Sequence, residues 1–319
     1  MNDRRYPSRE PRHRSISSRR SRRFGFLRFP FLGAGLPLAA CQRAGILDPQ
    51  GPVAAAQKLL PINSTEIMLV VIAPVIVATL AFAWWYRASN ARARRSAELA
   101  YEGRIDFVVW SIPALVIILL GGVTWISSHL LDPRAAIASK VKPLAVEVAS
   151  LDWKWLFIYP EQGVAAVNQL VIPAGTPVRF RLTSATVMNS FFVPQLGSQI
   201  YAMPGMTTHV NLMADRPGEY PGFSANFSGD GFAEMRFVVK AVPAGDFAPW
   251  LARVRQSGEA LDLPSYAKLA KPSIAVPPAT YRAVDPQLFQ RIVDQTALEP
   301  EKTHAGGVPA PPLRHGGGS

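Results

Sequence analysis

The chain has 319 residues, of which 49% are hydrophobic and 18% are charged, and its net charge is +12. This length allows two or three structural units, and so low a charged fraction in an apolar chain suggests membrane spans. The first 40 residues hold ten arginines against two acidic residues, so they carry most of the excess charge. Because the rest of the chain has no basic helix and no basic aromatic stripe, we exclude nucleic-acid binding.

The N-terminal region is typical of a secretory signal peptide. An arginine-rich segment precedes the apolar run FGFLRFPFLGAGLPLAA, and small residues stand directly before Cys41. A positive segment, an apolar core and a small-residue cleavage site define such signals, and a cysteine directly after the cut is similar to a bacterial lipoprotein. We therefore expect residues 1–40 to be removed and Cys41 to be lipidated; a chance cysteine beside small residues is the alternative. As the only cysteine, Cys41 also excludes an intramolecular disulfide.

Two uncharged apolar runs follow, at residues 67–86 and 107–131. The first run is about 30 Å long as a helix, which is enough to cross the hydrocarbon core of a bilayer. Aromatic residues cluster near the ends of the runs, as they do at membrane interfaces: Trp84, Trp85, Tyr86, Trp110 and Trp125. We therefore predict two transmembrane helices rather than two buried helices of a soluble protein.

The charges around the two runs predict their orientation. The loop at residues 87–106 carries five arginines, whereas residues 41–66 carry only Arg43 and Lys58. The positive-inside rule therefore places the loop in the cytoplasm and residues 41–66 in the periplasm, which agrees with a lipid anchor at Cys41.

Asp106 stands at the cytoplasmic mouth of the second run. Acidic residues this close to a span are often functional. The alternative is an exposed acid that the helix dipole favours at a helix N-terminus.

From about residue 143 the apolar pattern changes its period. Segments such as VRFRLTS, THVNLM and MRFVVKAV alternate or are rich in β-formers, and turn sequences such as VIPAGTP and DRPGEYPG separate them. They predict an antiparallel β-sandwich over residues 143–243. Residues 244–298 are predicted to form a helical arm, with one helix from 246 and another over 285–296. The Gly/Pro-rich residues 299–319 are expected to be a disordered tail.

Three segments of the predicted sandwich carry a family resemblance: DWKWLFIYPEQG (152–163), VMNSFFVPQLGSQIYAMPG (187–205) and RPGEYPGFSANFSGDGFAEM (216–235). Together with the helical hairpin, they resemble subunit II of the bo-type ubiquinol oxidases, which belong to the haem-copper oxidases. The resemblance covers roughly residues 41–300. It implies a two-helix transmembrane hairpin, an all-β cupredoxin-like sandwich and a C-terminal helical arm.

The resemblance also locates six positions that bind copper in the cytochrome c-oxidising branch. There, a histidine and a Cys-x-Glu-x-Cys-x-x-x-His-x-x-Met loop hold a dinuclear copper centre, because copper prefers soft sulfur and nitrogen ligands. We call the matching residues here the copper-loop positions: Asn189, Ser224, Asn226, Ser228, Phe232 and Met235. Only the methionine is retained, so the resemblance implies a metal-free sandwich without a catalytic residue.

The resemblance therefore implies a structural and assembly subunit of a proton-translocating ubiquinol oxidase, which passes electrons from ubiquinol to O₂. No cofactor is expected in this chain, and the haems and copper are expected in subunit I. Expected partners are subunits I, III and IV, the lipid of the bacterial inner membrane, and ubiquinol through subunit I. Within the family, an acid at the place of Asp106 lies at the entrance of a proton pathway. Two alternatives stay open: subunit II of a cytochrome c oxidase, and a free-standing lipoprotein that binds a partner or carries copper as a chaperone.

Overall fold

The computed structural model describes residues 45–94, 103–256 and 258–298. The predicted signal peptide, Cys41 and the predicted tail lie outside the described residues.

Two long apolar helices begin the described chain. Helix α1 spans Pro52–Trp85 and helix α2 spans Gly103–Leu130. By length and composition both can cross a membrane, and their most apolar windows are exposed along their whole length. Their 34 and 28 residues correspond to about 51 and 42 Å. Helix α1 is therefore longer than the apolar run at 67–86, and its first four turns precede that run.

The start of α1 is joined to the sandwich by backbone contacts. The Gln50 N–H donates to the Gln195 carbonyl at 2.7 Å, and the Asp215 N–H donates to the Gln50 carbonyl at 2.8 Å. A Cβ at Gly51 would stand 2.1 Å from the Met213 carbonyl oxygen, so only glycine allows this approach. Pro52 then starts the helix, where its missing N–H is not needed.

Residues 144–242 form the two-sheet sandwich that the sequence predicts. Its strands are β1 Leu144–Leu151, β2 Lys154–Tyr159, β3 Val164–Val167, β4 Gln169–Pro173, β5 Val178–Ser184, β6 Asn189–Phe192, β7 Ile200–Ala202, β8 Thr208–Leu212, β9 Gly218–Ser224 and β10 Arg236–Val242. A 3₁₀ turn, Phe232–Glu234, precedes β10.

The C-terminal arm is less helical than its sequence suggests. It consists of α3 Ala244–Gln256, β11 Ala260–Leu261, α4 Leu263–Leu269, β12 Ala279–Tyr281, β13 Ala283–Val284 and α5 Leu288–Val293. Strand β12 adds to the edge of the first sheet, and β11 pairs with β13. The three helices are therefore connected by short strands.

The predicted sandwich is confirmed and most of its strand pairs are antiparallel, but each sheet also contains one parallel pair. The first sheet has the order β12-β3-β2-β1-β5-β8 and the second has the order β4-β10-β9-β6-β7. Strand β1 pairs in parallel with β5, and β10 pairs in parallel with β4. Alternation along one strand reports which face is buried but says nothing about the direction of its neighbour.

The first sheet is buried on both faces along β2 and β3, whereas the outer face of β5 and β8 is partly exposed. Its inner face packs in the core between the sheets, around Trp155, Phe157 and Phe180. Its outer face is covered by the arm through Leu261, Tyr266, Leu288, Phe289 and Ile292. Every residue of β2 is therefore buried, although a sheet with one wet face would alternate.

Candidate functional site

The copper-loop positions lie at one end of the second sheet. Asn189 begins β6, Ser224 ends β9 and Met235 directly precedes β10. The Ser224 N–H donates to the Met235 carbonyl at 3.2 Å, which closes the loop between β9 and β10. The Ala225 N–H donates to the Ser190 carbonyl at 2.9 Å and joins that loop to β6. The fold thus brings together residues that are up to 46 positions apart.

Asn189 is at the centre of a buried polar network. Its side chain is almost fully buried, and its Nδ2 group donates to Ser150 Oγ at 3.2 Å and to the Val187 carbonyl at 3.1 Å. The Ser224 hydroxyl reaches Asn189 Oδ1 at 3.1 Å. Both ends of the amide are therefore occupied by protein groups, as a buried amide requires.

Ser224 has two acceptors within reach of its single hydroxyl hydrogen. These are Asn189 Oδ1 at 3.1 Å and the Asn226 carbonyl at 3.2 Å. The same oxygen accepts from the Ser190 N–H at 3.4 Å. The Asn226 side chain turns outward and donates to the Met188 carbonyl at 3.2 Å. These hydrogen bonds hold the two loops together.

The side chains at the remaining copper-loop positions, Ser228, Phe232 and Met235, make packing contacts. Met235 is fully buried, and the Ser228 hydroxyl lies 3.9 Å from its Sδ atom. Phe232 packs edge-to-face on Phe227, with 5.6 Å between the ring centroids. Phe227 itself is 75% exposed. This side of the loop therefore presents an aromatic ring to its surroundings.

The Trp153 side chain packs against the loop between β9 and β10. Its Nε1–H donates to the Ser228 carbonyl at 3.1 Å, and its ring lies against Gly231, where an added Cβ would stand 2.5 Å from ring atoms. Trp153 adopts a φ of +62°, which is uncommon for a bulky residue. The tight turn and the glycine together allow the indole to fill the space under the loop.

The donor set at these positions does not fit a copper centre. Amide, hydroxyl and phenyl groups replace the thiolate and imidazole ligands that copper prefers. In the described ranges no three or more His, Cys, Asp or Glu side chains are grouped closely enough to hold a metal. A single thioether, at Met235, is the one soft ligand that the six positions retain.

Asp106 lies in the first turn of α2, two residues after Arg104 and far from the copper-loop positions in sequence. It stands 24 residues before Leu130, or about 36 Å along the helix from the end that leads to the sandwich, so the structure does not bring it into the sandwich site.

Lys154 is a residue that the sequence analysis did not single out. It is 1% exposed, and its ammonium group donates to the Leu269 carbonyl at 2.9 Å, the Lys271 carbonyl at 2.7 Å and Ser273 Oγ at 2.5 Å. Burial lowers the pKa of Lys154, and the nearby Asp152 carboxylate opposes that shift. The one feature of the sequence that could have indicated its role is that it is the single cation in the otherwise apolar strand KWLFIY. It joins the arm to the turn that carries Trp153.

Two protein families match the folded part of the chain. The family described as Cytochrome C oxidase subunit II, periplasmic domain, matches residues 146–242. The family described as COX Aromatic Rich Motif matches residues 255–297. These matches agree with the sandwich and the arm, respectively.

Curated relatives match over most of their length. The cytochrome bo(3) ubiquinol oxidase subunit 2 of Pseudomonas putida is 51% identical over 274 residues, which are 86% of this chain and 86% of the relative. The protein of the same name from Pseudomonas aeruginosa is 47% identical and covers 85% of this chain and 81% of its own length. The ubiquinol oxidase subunit 2 of Acetobacter aceti is 47% identical, with shares of 82% and 85%.

Proposed function

Because this chain belongs to the subunit 2 family of the bo(3)-type ubiquinol oxidases, we propose that it acts in its complex as a subunit without a redox centre of its own. The complex oxidises ubiquinol, reduces O₂ to water and translocates protons. In this proposal the haems and copper belong to subunit I, which also receives ubiquinol. Subunit 2 stabilises the assembly and covers the periplasmic side of subunit I, with subunits III and IV as further partners.

The observation that carries this proposal is the chemistry of the copper-loop positions. The Asn189 amide and the Ser224 hydroxyl are buried and hydrogen-bonded to each other, at the places of a histidine and a cysteine in the copper-binding branch. Such a network holds the loops in place without a metal. The same substitutions weigh against a subunit that takes electrons from cytochrome c, because its copper entry centre needs the thiolates.

The relatives also weigh against a free-standing lipoprotein or copper chaperone. They are named as oxidase subunits, and this chain covers more than four fifths of each of the three. Two exposed apolar helices beside the sandwich support packing against other membrane subunits.

The test uses the intact complex purified through this chain. Oxygen uptake is measured with ubiquinol and with reduced cytochrome c, and copper per haem is determined in the same sample. We expect uptake with ubiquinol alone and copper equal to one haem-copper centre. Uptake with cytochrome c, or surplus copper with a mixed-valence EPR signal, would contradict the proposal. A preparation without haem would support the lipoprotein alternative.

The membrane arrangement is the second part of the proposal. The chain is a membrane protein with a periplasmic C-terminal domain, and we place it in the bacterial inner membrane with a lipid on Cys41. A mass measurement of the mature N-terminus tests the anchor. The expected species begins at a diacylated Cys41, and a chain that begins upstream of it and has an unmodified cysteine would refute the anchor.

Asp106 is proposed to lie at the entrance of a proton pathway into subunit I. Its place in the first turn of α2, at the end predicted to face the cytoplasm, supports this role. Asp106→Asn should lower the number of protons translocated per electron while oxygen uptake is retained. Unchanged proton yields in reconstituted vesicles would leave Asp106 as an exposed acid at a helix N-terminus.

A further inference from the structure

A group of basic side chains lies on the outer face of the first sheet, next to the end of α2. We call it the basic patch and define it by Arg134, Arg179 and His209. The register of β5 and β8 places Arg179 opposite Asn211 and Arg181 opposite His209. Residues that face each other in this way, and residues two apart on one strand, share a face of the sheet.

Arg134 is held against this face by the chain that leaves α2. The Asn211 N–H donates to the Pro133 carbonyl at 2.9 Å. The Asn211 side-chain amide donates to the Arg134 carbonyl at 3.0 Å and to the Ala135 carbonyl at 3.1 Å. Three hydrogen bonds from Asn211 therefore fix the backbone of residues 133–135 beside β8, which is an edge strand.

The guanidinium groups of Arg134 and Arg179 have no ion-pair partner among the described residues. Arg181 is paired, because its guanidinium donates to Glu147 at 2.9 Å and lies 5.0 Å from the Phe289 ring centroid. The side chains of Arg134 and Arg179 form no hydrogen bond or ion pair with any other described residue. Asp132 accepts from the backbone N–H of Arg134 at 2.9 Å rather than from its guanidinium.

His209 stands opposite Arg181 and two residues before Asn211, which faces Arg179. Burial lowers the pKa of His209, and repulsion from Arg181, Arg134 and Arg179 lowers it further. A half-buried histidine therefore stands among cations that oppose its protonation. Such an arrangement attracts an anion from outside the chain.

The length of α2 brings the patch close to the lipid headgroups when this helix spans a bilayer. Helix α2 has 28 residues, or about 42 Å, and a bilayer including both headgroup layers is about 40–45 Å thick. With the first turn of α2 in the cytoplasmic headgroup layer, Leu130 reaches the periplasmic headgroup layer, and Arg134 follows four residues later. A cleft of about 190 Å³ lies beside Pro133 and Asn211, which flank the patch. Its other lining residues include the acidic Asp132 and the apolar Pro52, Leu130, Leu131, Ile137 and Leu212.

We propose that Arg134 and Arg179 bind the phosphate of an anionic phospholipid in the periplasmic leaflet. Guanidinium groups suit phosphate because their planar N–H donors match its oxygens. The glycerol region of the same lipid contacts the apolar cleft beside α2. The lipid thereby holds the sandwich at the membrane at a second point, separate from the anchor proposed at Cys41. This contact does not depend on the substrate of the complex.

The experiment measures phosphatidylglycerol retained by the intact complex. Wild-type and Arg134→Gln/Arg179→Gln complexes are placed in nanodiscs of phosphatidylcholine with increasing phosphatidylglycerol, and bound lipid is counted by native mass spectrometry. We expect the double variant to bind one lipid fewer, with an affinity about thirtyfold lower at that site, or about fivefold per arginine.

A matched control removes the same charge elsewhere on the sandwich. Arg216→Gln/Arg236→Gln replaces two exposed arginines outside the patch and should leave lipid retention unchanged. Equal losses of bound lipid in both double variants would show that net charge alone causes the effect, and would overturn the proposal. It would also be overturned if millimolar inorganic phosphate displaced the lipid, or if the patch variant lost a partner subunit while its lipid count stayed constant.

Discussion

Replacing Lys154 with methionine tests how the arm is held on the sandwich. Methionine keeps the length of the side chain and its apolar stem, but it removes the three donors of the ammonium group. The Leu269 carbonyl and the Ser273 hydroxyl then lose the Lys154 donor, and the Lys271 carbonyl keeps the Ser273 hydroxyl as a donor, at 3.3 Å. The contact is between β2 and a segment more than 110 residues later, so its loss affects the arm before the sandwich.

The expected magnitude follows from the groups left without a donor. An acceptor deprived of its partner costs about 1–3 kcal/mol when buried, and less where water can enter. Lys271 is exposed and the other two residues are half-buried, so the lower end applies to each. Removing the buried charge also removes its desolvation penalty, which is the cause of its lowered pKa. We therefore expect the docked arm to lose about 2 kcal/mol, which is about a thirtyfold rise in the opening equilibrium.

Hydrogen exchange of the intact complex measures this opening directly. Amides of α4, including that of Tyr266, should exchange about thirtyfold faster in Lys154→Met, while amides of β9 and β10 in the second sheet stay unchanged. Lys240→Met is the matched control, because Lys240 is on the surface and Glu219, at 3.4 Å, is its one ion-pair partner among the described residues. An exposed pair of this kind contributes about 0–1 kcal/mol. Equal exchange rates in the arm of both variants would refute the role assigned to Lys154.

Three further predictions concern the sandwich, each measured as the thermal unfolding of this domain in the solubilised complex. Asn189→Ala removes the hydrogen bonds to Ser150, to the Val187 carbonyl and to Ser224, so we expect a loss of about 2–3 kcal/mol. Gly231→Ala places a Cβ 2.5 Å from the Trp153 ring, and overpacking should destabilise the loop by about 1–3 kcal/mol with a shift in tryptophan fluorescence. The pKa of His209 lies below 6.5 in the folded chain, so the unfolded chain takes up the proton first as the pH falls. Stability should therefore decline from pH 6.5 down to the folded pKa, and His209→Gln should remove this slope.

Each of these predictions has an outcome that contradicts it. Asn226→Ala is the control for Asn189→Ala, since the Asn226 amide lies on the outer side of the same loop. Equal losses of stability in the two variants would mean that the buried network stabilises the domain no more than this outer hydrogen bond. An unchanged unfolding temperature and fluorescence for Gly231→Ala would show that Trp153 can move aside. If the stability of His209→Gln fell between pH 6.5 and 5 as steeply as that of the wild type, another titrating group would cause the pH dependence.

The sequence by itself determined the layout of the chain and the chemistry available at its site. Uncharged runs of at least 20 residues admit few alternatives to membrane helices, and short strands between turns indicated the sandwich. The side chains at Asn189 and Ser224 exclude thiolate and imidazole ligands whatever the fold, because donor chemistry belongs to the residue type. The signal peptide, the anchor at Cys41 and the role of Asp106 stay predictions.

Only the tertiary structure decided which groups meet. The parallel pairing of β1 with β5 could not be read from either strand, because backbone hydrogen bonding is nearly independent of side chains. The arm covers the outer face of the first sheet, and this contact buries Lys154, which stands more than 110 residues before its partners. Arg134 and Arg179 are 45 positions apart, and both come to lie next to Asn211, the first through a hydrogen bond and the second through the register of β5 with β8. Local patterns report how a segment faces solvent, whereas its partners depend on packing across the whole chain.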